Sequence, residues 1–527
     1  MRSYHSHLGH TANATLPLPV ARKPVFRSSA IFPAFRQPGL TTRIGFLGYW
    51  MVKRKIPEIH SVLTLRSSAG DMLLRRAERI ADSKAYRAEL DDLLADAGWA
   101  EETFTGSLEI EFFASRDLVY PYPAVIVNYY GPEFGTVVHT AQRVFNDAED
   151  RSANRETSVP EAGFNVYADE DREPFFAFVN GFEPVVGGRV AMTFFNAFGE
   201  SLASALDIPL LAPYETTVVY PDRHVDLRAF LRGRPGTAKI AFDVDWVFPR
   251  IVAGNAQRSR QALSVTHTYY DCSGSATDAD YWPLSPEGYH PASLYVPVTA
   301  SDYRYTNIHF YPIYSPSELE VDVELYDAEG ALLGARKGLH TIRPDDAGFH
   351  TIGLRPLCES LGIDTAQPIG ANLIARPAAG QRLPTRLKIG LDYGEGEDAL
   401  PCNICKTMEV CNPALEAKTG SFHWGPVLTD QADAVVWLVN SCPKQGYDRF
   451  ADLTLAFYRE QDAEVLARPV RLAPNGIREL RLSEDPELRA FLGEGTGWYV
   501  ATSANPYVKS YYLCESRSGI VGGDHDF

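Results

Sequence analysis

Several things are missing from this chain, and each absence removes a class of protein. No apolar run reaches the length of a membrane-spanning helix. The first forty residues contain no continuous apolar stretch of the signal-peptide type. Seven cysteines in 527 residues are too few for a disulfide framework, and an odd number leaves at least one unpaired. With no secretion signal, a reducing cytoplasm is the expected compartment. There is no GxSxG elbow, no P-loop, no HExxH and no GxGxxG opening a helix after a strand. The chain therefore carries no recognisable catalytic constellation, and its sequence leans away from an enzyme.

Acid is absent from residues 1–57, which hold nine Lys or Arg. Removing those nine charges from the formal net charge of −17 leaves −26 on the remaining 470 residues. A body that acidic repels phosphate backbones, so nucleic acid is not an expected partner. Residues 1–44 read as a disordered basic tail. Their Ser, Pro and basic content also fits an organellar transit peptide, or an upstream extension of a gene that starts at Met51.

What is present is a fourfold repetition. Each pass opens on a short apolar strand: Phe46–Val52, Phe175–Asn180, Ser293–Val298 and Val435–Asn440. A hairpin follows, with turns at Arg66–Asp71, Asn196–Glu200, Asp327–Gly330 and Arg459–Asp462. Three of these contain the glycine that a tight turn needs. A short helical patch comes next: Ala88–Leu94, Leu227–Leu231, Leu354–Leu361 and Leu488–Leu492, with LRAFL in both the second and the fourth.

Strongly alternating strands complete the pass. Leu108, Ile110 and Phe112 alternate with Glu109 and Glu111, and Leu387, Ile389, Leu391 and Tyr393 alternate with Lys388, Gly390 and Asp392. Period two means one buried and one wet face, as in an antiparallel sandwich.

Each pass ends near a histidine: His139, His267, His423 and His525. Three passes take 87–89 residues from opening strand to histidine, and the third takes 128, its excess falling in 363–384 and 394–418. The expected fold class is all-β with minor short helices, as four tandem immunoglobulin-like antiparallel β-sandwiches. The expected borders are 45–141, 174–270, 291–427 and 430–527, with an acidic linker at 142–173 and another linker at 271–290. Such a string should be elongated, with modest contacts between neighbours.

Three places could hold a function. Cys402, Cys405 and Cys411, with Cys442 or His423 as a further ligand, have half of a zinc-site pattern, so zinc is the one cofactor considered. Tyr269, Tyr270, Tyr281 and Trp282, around the linker after the second pass, could stack on a sugar or grip a peptide. The four terminal histidines read as structural groups that order strand ends. Placed on serial sandwiches, they should lie tens of ångströms apart. Gly522–His525 (GGDH) resembles a manganese-binding motif of the arginase and agmatinase family. That family's other Asp-rich motifs are absent here and its fold is α/β, which excludes the reading.

Three functions compete at this level. The first is a non-catalytic scaffold or interaction protein. The second is a carbohydrate- or peptide-binding module using loops of the third repeat. The third is a zinc-dependent protein built on the cysteine segment. Oligomeric state is left open by the sequence.

Overall fold

The computed structural model describes residues 23–527 apart from 140–141, 149, 152–160, 271–289, 301–302, 312–316, 344–345, 347, 382–386, 411–416, 431–432, 445 and 526–527. The fold is mostly β with a few short helices, and every paired strand is antiparallel. Four sandwiches are present, each built on the same order of four plus four strands; Tyr269–Tyr270 adds a fifth strand to one sheet of the second, and in the third the two halves join into one eight-stranded sheet. The fourth sandwich shows the plan. One sheet runs Ser421–Leu428, Thr496–Ser503, Ala451–Tyr458, Val465–Leu472, and the other Ile477–Arg481, Asp433–Asn440, Val508–Glu515, Val521–His525.

The hairpins and helices fall where the sequence puts them. The three turn glycines, Gly70, Gly199 and Gly330, all have positive φ, of 92°, 79° and 80°. The glycine-free turn is tied by Arg459, which bonds Asp462, and by Asp462 Oδ1, which accepts from the Glu464 amide at 3.0 Å. The two LRAFL patches lie in helices Leu227–Leu231 and Pro486–Leu492. Each helix is capped by an aspartate, Asp226 or Asp485, and each buries its two outer leucines against the sandwich core. The shared Val-Asn endings also have a cause. Asn180 Nδ2 donates to the carbonyls of Leu211 and Ala212, and Asn440 Nδ2 to those of Leu472 and Ala473, tying each opening strand to the end of its hairpin.

The borders differ from the expected ones. The first, second and fourth sandwiches begin one strand earlier, and that strand joins the sheet carrying the hairpin. For the first sandwich it is Arg27–Arg36, inside the segment expected to be a tail. For the second it is Glu161–Val166, inside the expected linker, which also holds the short strand Arg143–Val144. For the fourth it is Ser421–Leu428, so His423 opens the fourth sandwich and does not close the third. Ser293–Val298 is likewise a first strand, and the counterpart of the other opening strands is Arg304–Phe310. The third sandwich closes on Cys402–Val410. The apparent excess in the third pass came from counting one strand too many at each end.

The string is closed, not elongated. The hairpin turn of each sandwich docks on the fifth strand of the next. Thr216 N donates to Ser68 O at 2.9 Å, Phe349 N to Asn196 O at 2.9 Å, Ile477 N to Ala328 O at 3.1 Å, and Ala85 N to Arg459 O at 3.0 Å. The last of these joins the fourth sandwich to the first. This head-to-tail contact, made four times, closes a ring of pseudo-fourfold symmetry within one chain. Apolar packing crosses the joints, since one core cluster contains residues of the first, second and fourth sandwiches and another residues of the third and fourth.

Ring closure also buries the faces expected to be wet. Glu109 is 3% exposed and Glu111 6%, paired with Arg27, Arg66 and Arg75, while Lys388 is 1% exposed and Asp392 fully buried. The joints set a specific cost on their glycines. Gly330 has φ of 80°, and a Cβ there would overlap the carbonyl oxygen of Pro474 in the next sandwich. Gly199 has φ of 79° with nothing within 4 Å of its Cβ position. In thermal or urea unfolding, Gly199→Ala should cost only the left-handed backbone penalty of about 1–2 kcal/mol. Gly330→Ala should cost clearly more, because a backbone contact between sandwiches must shift as well.

Candidate functional site

The four closing strands, Phe134–Val138, Ala262–His267, Cys402–Val410 and Val521–His525, meet at the middle of the ring. Adjacent members are stitched in turn. Thr136 Oγ1 accepts from Val265 N at 3.2 Å, Ser264 Oγ donates to Pro401 O, Cys402 Sγ donates to Gly523 O at 3.4 Å, and Ser518 Oγ donates to Glu133 O at 2.6 Å. Small residues permit this approach; a Cβ on Gly522 would overlap the carbonyl oxygen of Gly135 on the neighbouring strand.

Register then decides which side chains face the axis. His267 pairs with Val252, His525 with Tyr511, and Lys406 with Ile389, each on the preceding strand of its own sandwich; His139 directly follows Val138, which pairs with Val127. The closing strand of the third sandwich holds no histidine; it carries Lys406, whose charge acts on His139 and His525.

The expectation that the histidines lie far apart is overturned for three of them. The ring centroids of His139 and His267 are 4.4 Å apart, of His139 and His525 4.7 Å, and of His267 and His525 5.4 Å. Serial sandwiches would have kept them apart; closing the series into a ring brings the strand ends together. His423 stays outside, on the strand that opens the fourth sandwich.

Asp524 sits among the three rings. Its Oδ2 is 2.6 Å from His139 Nδ1, and its Oδ1 is 3.5 Å from His267 Nε2 and 4.0 Å from His525 Nε2. All four residues are buried, at 7%, 0%, 3% and 7% exposure for His139, His267, Asp524 and His525. One donor atom from each lies within 4.8 Å of all the others.

Burial sets the charge states. It pulls His139 down to about 4 and His525 well below the ordinary imidazole value, in each case against the attraction of Asp524. Lys406 adds to the downward pull on both. Burial acts to raise Asp524, but His139 and His267 outweigh it and hold the carboxyl well below its usual value. At neutral pH, then, His139 and His525 are neutral bases and Asp524 is a carboxylate. Such a set can be a hydrogen-bonded hub or a ligand set for an imidazole-preferring ion.

The cysteine pattern has another arrangement. Cys402 and Cys405 lie on one strand, three residues apart, so they face opposite sides of the sheet. Cys402 packs in the core shared by the third and fourth sandwiches, and Cys405 against Ala162, Tyr311 and Phe349. Cys442 packs with Tyr507 in the fourth sandwich, and Cys411 lies outside the described residues. The structure does not bring Cys402, Cys405, Cys442 and His423 together. Burial also raises the Cys402 thiol well above its ordinary value, which disfavours the thiolate a metal needs. Tyr269 and Tyr270 form a short strand paired with Ala162 and Glu161, while Tyr281 and Trp282 lie outside the described residues.

Sequence reasoning missed a second polar knot, at the joint between the second and third sandwiches. Asp392 accepts from Tyr167 OH at 2.6 Å, Asn165 Nδ2 at 2.8 Å and Asn403 Nδ2 at 3.2 Å, and stands 2.9 Å from His309 Nε2. His309 Nδ1 lies 3.0 Å from Thr351 Oγ1. The Thr-His-Asp order has the outline of a nucleophile relay, but Asp392 is saturated by groups from two sandwiches, which is how a buried joint is satisfied. Two clefts border the first sandwich. One, of about 720 Å³, lies around Arg36, Tyr130 and Asp430, and one of about 590 Å³ around Phe35, Trp99 and Tyr220. No helix among the described residues is long and apolar enough to cross a membrane. Comparison with known protein families finds no matching family model, and comparison with curated proteins finds no significant match.

Proposed function

We propose that the protein is a non-catalytic interaction scaffold, a closed ring of four sandwiches that presents its outer hairpins to protein partners. One observation carries the reading: among the described residues, every sandwich ends its hairpin sheet on an edge strand that pairs on one side only and displays a large apolar side chain. The edges are Met72–Ile80, Ser201–Leu211, Leu332–Ile342 and Val465–Leu472. Met72 is 57% exposed, Leu210 56%, Leu332 57% and Val465 45%.

An open edge is a template for an added strand from another chain. Three of the four edges also carry Arg or Lys pairs (Arg75 and Arg76, Arg336 and Lys337, Arg468 and Arg471), which discourage indiscriminate stacking. The interior supports the same reading, because its polar groups join sandwiches to one another. This reading seats partners on the rim, in contrast to the alternative of a carbohydrate- or peptide-binding module using loops of the third repeat.

The test compares partners captured by the wild-type chain with those captured by a variant carrying Met72→Lys, Leu210→Lys, Leu332→Lys and Val465→Lys. All four positions are exposed, so thermal stability should be unchanged within about 1 kcal/mol. Loss of the specific partners is the expected result. An unchanged set of partners would remove the rim from the proposal.

A further inference from the structure

We infer that the axial cluster is a structural transition-metal site, in which His139, His267, His525 and Asp524 hold one divalent ion of the zinc class. The inference goes beyond the scaffold reading and does not depend on it.

The donors come from three strands of three sandwiches, and each is placed by the backbone. His525 and Asp524 are consecutive on the last strand, and the His525 amide donates to Asp524 Oδ1 at 2.8 Å, which orients the carboxylate. His267 ends its strand fully buried, and His139 follows its own strand directly. Four ligands at about 2.0–2.1 Å from a tetrahedral zinc stand roughly 3.3 Å from one another. The four donors here already lie within 4.8 Å of one another. Closing the remaining gap takes small side-chain rotations and no change of strand register.

The chemistry of the donors selects the ion. Three imidazoles and one carboxylate suit zinc, cobalt(II), iron(II) and their neighbours. Calcium needs six to eight oxygens and magnesium an oxygen octahedron with water, so both are excluded. Four protein ligands, all buried, make a closed structural site with no position reserved for substrate. The ion would cross-link the first, second and fourth sandwiches at the middle of the ring.

Lys406 lies on the one closing strand that contributes no ligand, Cys402–Val410, and its Nζ lies 5.4 Å from the ring centroid of Tyr511. Its positive charge opposes a cation at the axis. Replacing it with a neutral residue should therefore tighten binding without touching a ligand.

The experiment uses the full chain, stripped with a chelator and dialysed, then titrated with zinc and in parallel with cobalt(II). One ion per chain is expected, with a rise in the thermal midpoint and tetrahedral cobalt absorption bands in the visible. Asp524→Asn should weaken zinc binding by more than the roughly 10–100-fold that losing an outer-sphere partner costs, and Lys406→Met should strengthen it. Because Asp524→Asn can disturb folding, the wild-type titration and Lys406→Met carry the decision. Sub-stoichiometric zinc with no thermal shift in the folded wild-type chain overturns the site. So does zinc binding that Lys406→Met leaves unchanged or weakens.

Discussion

Asp430→Ala should destabilise the protein by about 3 kcal/mol or more, the range found when one partner of a buried ion pair is removed. The partner left behind is Arg43, which is 1% exposed on the strand Thr41–Leu47. Its guanidinium meets Asp430 with both terminal nitrogens, Nη1 to Oδ2 at 2.7 Å and Nη2 to Oδ1 at 2.8 Å. Nε donates to Asn128 Oδ1 at 2.8 Å, and Glu89 stands at 3.4 Å. Arginine does not shed its proton in a protein, so the charge stays buried when Asp430 is gone.

The pair also joins the first sandwich to the fourth, the joint where the ring closes. Asp430→Ala should accordingly lower the urea midpoint and loosen that joint first, seen as faster amide exchange at Ala85, whose N–H bonds Arg459 O across it. The double variant Arg43→Met with Asp430→Ala should recover most of the loss, because it removes the stranded charge. A single variant within 1 kcal/mol of wild type would mean that Glu89 alone balances the guanidinium.

Arg43 also shows where the sequence was hard to read. It falls in the basic segment expected to be a tail, and composition alone cannot separate a solvated arginine from one paired with a carboxylate 387 positions away. The first strand hides for a related reason. Ser28 and Ser29 are buried on opposite faces and Pro33 sits in mid-strand, so Arg27–Arg36 has no period-two signature. What was legible is local. Alternation gave the strands, glycine gave the turns, and spaced leucines gave the helices at the sandwich ends. What was not legible is what covers each polar face. Lys388 and Asp392 alternate with apolar residues as a wet face does, yet a neighbouring sandwich covers them and satisfies Asp392.

The hub was half legible. His139-Thr140 and His267-Thr268 share a dipeptide, and the third closing strand holds Lys406-Thr407. The fourth histidine of the sequence pattern, His423, opens the fourth sandwich and stays outside the hub. Residue identity alone did not mark which strand closes a sandwich: His423 lies on an opening strand, while His139, His267 and His525 stand at the ends of closing ones.

Acidification should weaken the metal-free protein between pH 6.5 and 4, and the hub histidines should account for much of the slope. In the unfolded chain each imidazole takes a proton near pH 6.5. In the folded chain burial holds His139 near 4 and His525 well below its ordinary value, against the attraction of Asp524 and with opposition from His267 and Lys406. Across that window the unfolded state binds more protons, so stability falls as pH falls, by about 1.4 kcal/mol per pH unit for each such histidine. His139 alone should account for about 3 kcal/mol by pH 4. Asp524 acts in a different window. Its folded value lies well below 3.8, so the stability it contributes is intact above pH 4 and is lost only as pH falls further. The half-buried His340, also held near 4, titrates in the same range as His139, which is why the comparison must be between variants. Urea unfolding of chelator-treated wild type and His139→Gln, followed from pH 7 to 4.5, isolates the hub: the variant's slope should be shallower by about 1.4 kcal/mol per unit. Equal slopes would show that folding leaves the His139 titration unshifted, and a steeper variant slope that His139 is already protonated in the folded state. Asp524 would then bind a cationic imidazole, and a site that holds a proton that firmly has no free lone pair there to offer a metal.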